Sequence, residues 1–264
     1  MPYCSRCGAE LPKDAGFCPS CGTAVAVSKL APSETHRTFK VKGTPKVVVT
    51  NTAHGSIEVK SGPRAEVIVD LDLRLPEELD WSVLQEGNIV SITCRSRESS
   101  FFFWSRHVFS EGPRANILLS VPADAELNLE NRAGRISVTG VKGAITAESS
   151  AGLVNLKDCE CTVRARTKAG SVYLENVNGT ISARTAAGSI TYTGALGKGE
   201  NWFLTRVGSI DLMLKGEPDL TVEASAILGK VTCIPEPTDG RYERGRYRGR
   251  FGAGTGRLIA ETRT

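Results

Sequence analysis

The stretch that decides the fold reads Ala133-Gly134-Arg135-Ile136-Ser137-Val138, then Ala151-Gly152-Leu153-Val154-Asn155-Leu156, Ala169-Gly170-Ser171-Val172-Tyr173-Leu174 and Ala187-Gly188-Ser189-Ile190-Thr191-Tyr192. Its glycines recur every 18 residues, and Gly208 and Gly229 extend the series at spacings of 20 and 21. A fixed period of this length marks a chain built from stacked repeats. Between the glycines lies a second set, Gly143-Ala-Ile-Thr-Ala147, Cys161-Thr-Val-Arg-Ala165 and Gly179-Thr-Ile-Ser-Ala183, so the unit is nine residues used twice per period. Each unit alternates apolar and polar residues, as a half-buried strand does. Ile136 with Val138, Val154 with Leu156 and Val172 with Leu174 share one face; Ile145 with Ala147, Val163 with Ala165 and Ile181 with Ala183 do so in the intervening units.

Residues one period apart should then stack. Val141, Cys159 and Val177 form one ladder, and Ser149, Thr167, Thr185 and Thr205 form another, while Cys161 takes a corner that wants a small residue. The pattern predicts a mostly β chain folded as a two-sheet β-solenoid of about 18 residues per coil, with one strand per sheet in each coil and glycines at the corners. A left-handed hexapeptide helix has the same coil length but needs an aliphatic residue every six, and Ile136 is followed at that interval by Lys142 and Glu148. Calcium-binding nonapeptide rolls need Gly-Gly-x-Gly-x-Asp turns; the turns here end Arg132-Ala-Gly134, Ser150-Ala-Gly152 and Ala186-Ala-Gly188, so calcium is not implied.

Upstream, Lys46-Val-Val-Val-Thr-Asn-Thr-Ala-His-Gly-Ser-Ile-Glu-Val59 carries the same signature around Gly55. Longer alternating runs follow at 65–73, 88–93 and 116–122 and are expected to form an antiparallel start that caps one end of the solenoid. At the other end, Gly256-Arg-Leu-Ile-Ala-Glu-Thr262 repeats the strand-plus-threonine pattern as a last coil, either left as an exposed edge or covered. The region from about 40 to 264 resembles the bacterial β-strand-repeat family labelled "putative adhesin" (domain of unknown function 4097). The resemblance rests on Asn51-Thr-Ala-His-Gly-Ser-Ile-Glu-Val59, Leu119-Ser-Val-Pro122 and the recurring Ala-Gly-x-Ile/Val turns, and it implies a repetitive β scaffold with no established reaction.

The N-terminus has a different chemistry. Half of the eight cysteines fall within the first 21 residues, as Cys4-Ser-Arg-Cys7-Gly8 and Cys18-Pro-Ser-Cys21-Gly22. Two Cys-x-x-Cys pairs supply the soft tetrahedral thiolate set that suits one structural Zn2+ ion, with no position left open for catalysis; two disulfides or an iron centre are the alternatives. The module is too small to fold without metal. It resembles the short zinc ribbons at the N-termini of many bacterial proteins. Arg6 and Lys13 are balanced by Glu10 and Asp14, so this module has no basic stripe. The expected organisation is a ribbon at 1–22, a linker at 23–38 and the β-repeat domain at 39–264, with longer capping strands to 125 and coils from 126.

Composition sets the remaining bounds. In 264 residues, 33 basic and 29 acidic side chains leave a formal charge of +4, too little to argue for a nucleic-acid partner unaided. No apolar run approaches the roughly 20 residues of a membrane span, and the N-terminus lacks a signal-peptide pattern, so a cytoplasmic location is expected. In that compartment Cys94, Cys159, Cys161 and Cys233 read as free thiols. His36, His54 and His107 have no partner pattern, and Glu148 and Glu175 fall beside Arg166 and Lys157 as ordinary surface pairs, so no enzyme is predicted. Two irregular segments are the recognition candidates. The aromatic run Phe101-Phe102-Phe103-Trp104 is expected to cap the apolar end of the solenoid, or else to face a protein or membrane surface. Arg241, Arg244, Arg246, Arg248 and Arg250, interleaved with Tyr242 and Tyr247, are read as a solvated loop between the last two strands, with phosphate and base binding as the alternative. The expected partner is a protein or cell-envelope component, and nucleic acid is the runner-up.

Overall fold

The computed structural model describes residues 20–21, 35–97, 112–227, 230–243 and 245–263. The first strands are β1 (His36–Lys40), β2 (Lys46–His54), β3 (Ile57–Ser61), β4 (Glu66–Arg74), β5 (Leu79–Glu86), β6 (Ile89–Ser96) and β7 (Arg114–Val121). The repeats supply β8 (Glu126–Ala133), β9 (Ile136–Thr139), β10 (Ile145–Ala151), β11 (Val154–Lys157), β12 (Val163–Ala169), β13 (Val172–Glu175), β14 (Ile181–Ala187), β15 (Ile190–Gly194), β16 (Glu200–Val207) and β17 (Ile210–Leu214). The chain continues through β18 (Leu220–Ala226), β19 (Thr238–Glu243), β20 (Arg246–Phe251) and β21 (Gly256–Thr262).

Two stacks of strands result. One runs β5-β6-β2-β8-β10-β12-β14-β16-β21-β18-β20-β19. The other runs β1-β4-β7-β3-β9-β11-β13-β15-β17. Through the repeats all pairing is parallel and in the expected register, with Leu127 beside Ile145, Val163 and Ile181 and with Ile136 beside Val154, Val172 and Ile190. The predicted inward residues, including Val141, Cys159 and Val177, are buried in one continuous core between the stacks.

The corners set the spacing. A Cβ added to Gly152 would lie 2.0 Å from the carbonyl oxygen of Gly134, and one added to Gly170 would lie 2.0 Å from that of Gly152. Their φ values, 147° and 142°, are ones that side-chain-bearing residues rarely adopt. The corner amides are bonded despite the absence of side chains. Gly152 and Gly170 donate their amides to the carbonyls of Ala169 and Ala187, both at 2.8 Å. The corner carbonyls are taken from inside by a polar column: Thr167 Oγ1 donates to Gly152, Thr185 to Gly170, Thr205 to Gly188 and Thr262 to Gly208, at 3.2, 2.8, 2.9 and 3.0 Å. Further down, Asn131 Nδ2 donates to the Gly55 carbonyl and Asn51 Nδ2 to that of Ala115. Ser149 stands in the same column with its Oγ buried and without a partner. A buried carbonyl left unbonded costs about 1–3 kcal/mol, so the column answers a requirement that repeats at every coil.

The start differs in part from the sequence expectation. The first coil unit, β2–β3, is not a cap: it lies between β6–β7 and β8–β9, pairing in parallel with both. The antiparallel partners sit outside it, as β5 on β6 and as β4 on β7 with β1 beyond. At the other end the covered alternative holds, because the last strand, β21, inserts in parallel between β16 and β18. Its Thr262 supplies the next rung of the hydroxyl column, which is why the strand fits there. The arginine segment is not a loop but an antiparallel hairpin, β19–β20, built onto β18. His36 belongs to β1 and pairs with Asp70, so strand structure reaches into the expected linker.

Replacing Gly170 by Ala should lower the unfolding free energy by about 3 kcal/mol or more, because the added methyl meets a fixed carbonyl. Gly112→Ala, with nothing within 4 Å, should change it little. Thr185→Val should cost about 1–3 kcal/mol and Thr185→Ser much less, since only the former leaves the Gly170 carbonyl unbonded. Chemical denaturation of the variants checks all four.

Candidate functional site

Three of the four expected zinc ligands, Cys4, Cys7 and Cys18, lie outside the described residues, and Cys21 is half-buried. Their fit to zinc therefore rests on the donor set, two pairs of thiols each separated by two residues. The aromatic run Phe101, Phe102, Phe103 and Trp104 also lies outside the described residues, as do His107 and Arg244.

The other arginines are brought together. Alternation along β20 turns Tyr247 and Phe251 toward the core and Arg246, Arg248 and Arg250 to solvent. Arg241 on β19 is the cross-strand neighbour of Arg248. On the other side Arg248 lies beside Glu223 of β18, and Arg250 pairs with Asp239 at 3.2 Å. The next basic residue inward, Arg257 of β21, bridges Glu200 and Glu223 at 3.3 and 3.5 Å. The exposure of these pairs limits their stabilisation to about 1 kcal/mol or less each. The same holds for Lys157–Glu175 and Arg166–Glu148, which stack across adjacent coils where the sequence places them.

Cys159 and Cys161 form a pair that sequence reading treated as two separate residues. Cys159 is buried below the corner, and the Cys161 thiol hydrogen-bonds to it. That bond, together with the backbone amides of Val141 and Gly140, pulls the Cys159 thiol down to about 7 against the effect of burial. The Cys161 thiol moves up, because it holds the proton that the Cys159 thiolate accepts. Cys94 has no such donors, and burial pushes it up to about 12. Spacing alone could have flagged the pair, since a two-residue step across a corner keeps both sulfurs on the same side.

The feature that sequence reading missed is a cavity of about 750 Å³ between the stacks at the C-terminal end. It arises because the first stack runs on past β16 through β21, β18, β20 and β19, whereas the second stops at β17. Ile210, Leu212 and Leu214 face Leu258, Val222 and Phe251 across it. The signal was the break in period after β17, where Pro218, Pro235 and Pro237 replace the glycine rhythm. Among the described residues no group of three or more His, Cys, Asp or Glu is placed to hold a metal, and no helix is long and apolar enough to cross a membrane.

Comparison with known proteins finds a zinc-ribbon domain match over residues 3–25, which implies zinc binding by that segment. No curated protein matches the chain. Solved structures similar to it include a Clostridium sporogenes chain described as a "putative cell adhesion protein", with 10% identity, a TM-score of 0.31 and coverage of 86% of this chain and 93% of that one. A Bacteroides fragilis "putative adhesin" shows 14% identity, a TM-score of 0.29 and coverage of 69% and 96%.

The cysteine pair gives a pH dependence. The folded Cys159 value lies below the ordinary 9.0, so this thiol's contribution to stability is complete above that value and is lost as pH falls through about 7. Unfolding free energy should therefore rise across that window, with thiolate absorbance appearing in the folded chain. In Cys161→Ala the thiolate absorbance should move to higher pH and the rise in unfolding free energy should shrink or vanish.

Proposed function

We propose that the chain is a non-enzymatic, zinc-binding interaction scaffold. In this reading Cys4, Cys7, Cys18 and Cys21 hold one structural zinc ion in a closed ribbon, and the β-solenoid presents its surface to a protein or cell-envelope partner. The observation that carries it is the use made of the interior. Aliphatic ladders fill the space between the stacks, and the threonines that enter it are bonded to corner carbonyls. The side chains left for an encounter are the outward ones, which stand in fixed rows on a rigid frame. Zinc in the ribbon would supply that segment's folding energy, not a reaction.

A second reading, nucleic-acid binding through the ribbon and the arginine hairpin, is favoured by one observation: Arg241, Arg246, Arg248 and Arg250 share the exposed face of two paired strands. Its acidic neighbours Glu223, Asp239 and Glu243 weigh against strong phosphate binding.

Affinity capture from the native cell, with the full chain and with residues 1–34 removed, tests the first reading; a protein or envelope component should be retained, and recovery of nucleic acid alone overturns it. Electrophoretic shift across a salt series tests the second, which requires a steep slope that is lost when Arg246, Arg248 and Arg250 are changed to Ala. Metal analysis of the purified chain should return about one zinc per chain, falling with Cys18→Ser; less than about half an equivalent refutes the ribbon site.

A further inference from the structure

We propose that the open edge of β17 and the apolar groove beside it form a strand-addition site for an extended segment of a protein partner, apolar at alternate positions and basic beside Asp211. The inference rests on the scaffold reading and names its class of partner.

The backbone supplies the first part of the case. In successive coils the amide of Val154 donates to the carbonyl of Ser171, that of Val172 to Ser189 and that of Ile190 to Ser209, at 3.1, 2.9 and 2.9 Å. Ile210 holds the same place in β17, and no described strand lies beyond it. Lys215 turns its amide back to Gly194 of β15, so by the alternation of a β-strand Ile210, Leu212 and Leu214 direct their N–H and C=O groups to the open side. Among the described strands each stack has two edges, and three of these four are blunted by charge: β1 with Arg37 and Lys40, β5 with Asp80 and Glu86, β19 with Arg241 and Glu243. β17 reads Ile-Asp-Leu-Met-Leu. An edge so apolar is the kind that pairs with another chain.

The groove supplies the second part. An added strand would lie against Leu258, Val222 and Phe251, whose stack continues where that of β17 stops. Met213 and Ile234 on its rim are 68% and 88% exposed, unusual for side chains of this size. Main-chain bonding would give affinity and the alternate pockets selectivity, as in other strand-addition complexes.

Register and charge choose the occupant. The ladders Ile136-Val154-Val172-Ile190-Ile210 and Val138-Leu156-Leu174-Tyr192-Leu212 call for apolar residues at the next rung. The outward column between them runs Glu58-Ser137-Asn155-Tyr173-Thr191-Asp211, so its member at the open edge is acidic. Asp211 is exposed, and among the described residues its carboxylate accepts one hydrogen bond, from Ser209 Oγ at 3.1 Å. A basic side chain on the added strand would meet it directly.

The probe is a labelled peptide of residues 151–157 carrying Asn155→Lys, titrated with the full chain and followed by fluorescence anisotropy. It should bind, and Leu212→Pro should weaken it by about tenfold or more. That change removes an edge amide and puts a ring in the path of the strand, yet leaves the bonds to β15 in place. Asp211→Lys should weaken binding roughly two- to five-fold and should instead favour the peptide carrying Asn155→Glu. The charge swap stays decisive if the proline variant unfolds, which circular dichroism reports. Failure of every peptide to bind, or indifference to the swap, overturns the proposal. So does a concentration-dependent dimer abolished by Leu212→Pro, which would assign the edge to a second copy. None of these results touches the scaffold reading, which fails separately if capture retains no protein or envelope component.

Discussion

The structure depends on the corner carbonyl. At the turns from the first stack to the second, a glycine carbonyl lies close beneath the next glycine's Cα, at a distance that admits a hydrogen and excludes a methyl. Adjacent parallel strands are held about 4.8 Å apart by their hydrogen bonds, and a side chain at the corner would have to break that spacing on both sheets. The carbonyl also needs a donor, because it is turned inward where water does not reach it. Threonine one rung along supplies it, and its β-branched side chain suits the strand it sits in. Period, glycine and threonine are thus one requirement seen three ways.

The same requirement explains how the ends are built. A stack of identical coils leaves bare edges, and here the chain tucks a unit inward at each end and places less regular strands outside. β2–β3 lies between neighbours on both sides, and β21 completes the hydroxyl column through Thr262 before β18 and the arginine hairpin follow. Charge blunts the outer strands. The second stack lacks this treatment at β17, and the cavity beside it is the geometric consequence of two stacks of unequal length. Function on such a frame belongs to surfaces and edges, because the interior is committed to holding the coils together.

The coils were legible because their signal is local and repeated. Ile136, Val154, Val172 and Ile190 sit in identical surroundings, so each confirms the register of the next. The zinc-ribbon segment was legible for a related reason, since its paired cysteines announce a chemistry by spacing alone, and the domain match covers residues 3–25. What escaped was long-range. Nothing near Gly256 says that β21 will sit beside β16, 56 residues from Asn201 to the Arg257 carbonyl it bonds. Nothing in Arg241–Arg250 distinguishes a solvated loop from a hairpin, because the strand it joins, β18, must first be placed. The Cys159–Cys161 contact depends on the fold of one corner, and the groove exists only as a difference between two stacks.

The central claim, that the glycine corners are structural keystones and not turns at the surface, is tested most directly by residue-resolved amide hydrogen exchange under native conditions. If it holds, the amides of Gly152, Gly170 and Gly188 exchange as slowly as those of Val154 and Val172, through opening of the whole repeat region. Corner amides that exchange orders of magnitude faster than the strands they connect would contradict it, and would make the ladders of side chains, not the corners, the element that sets the coil.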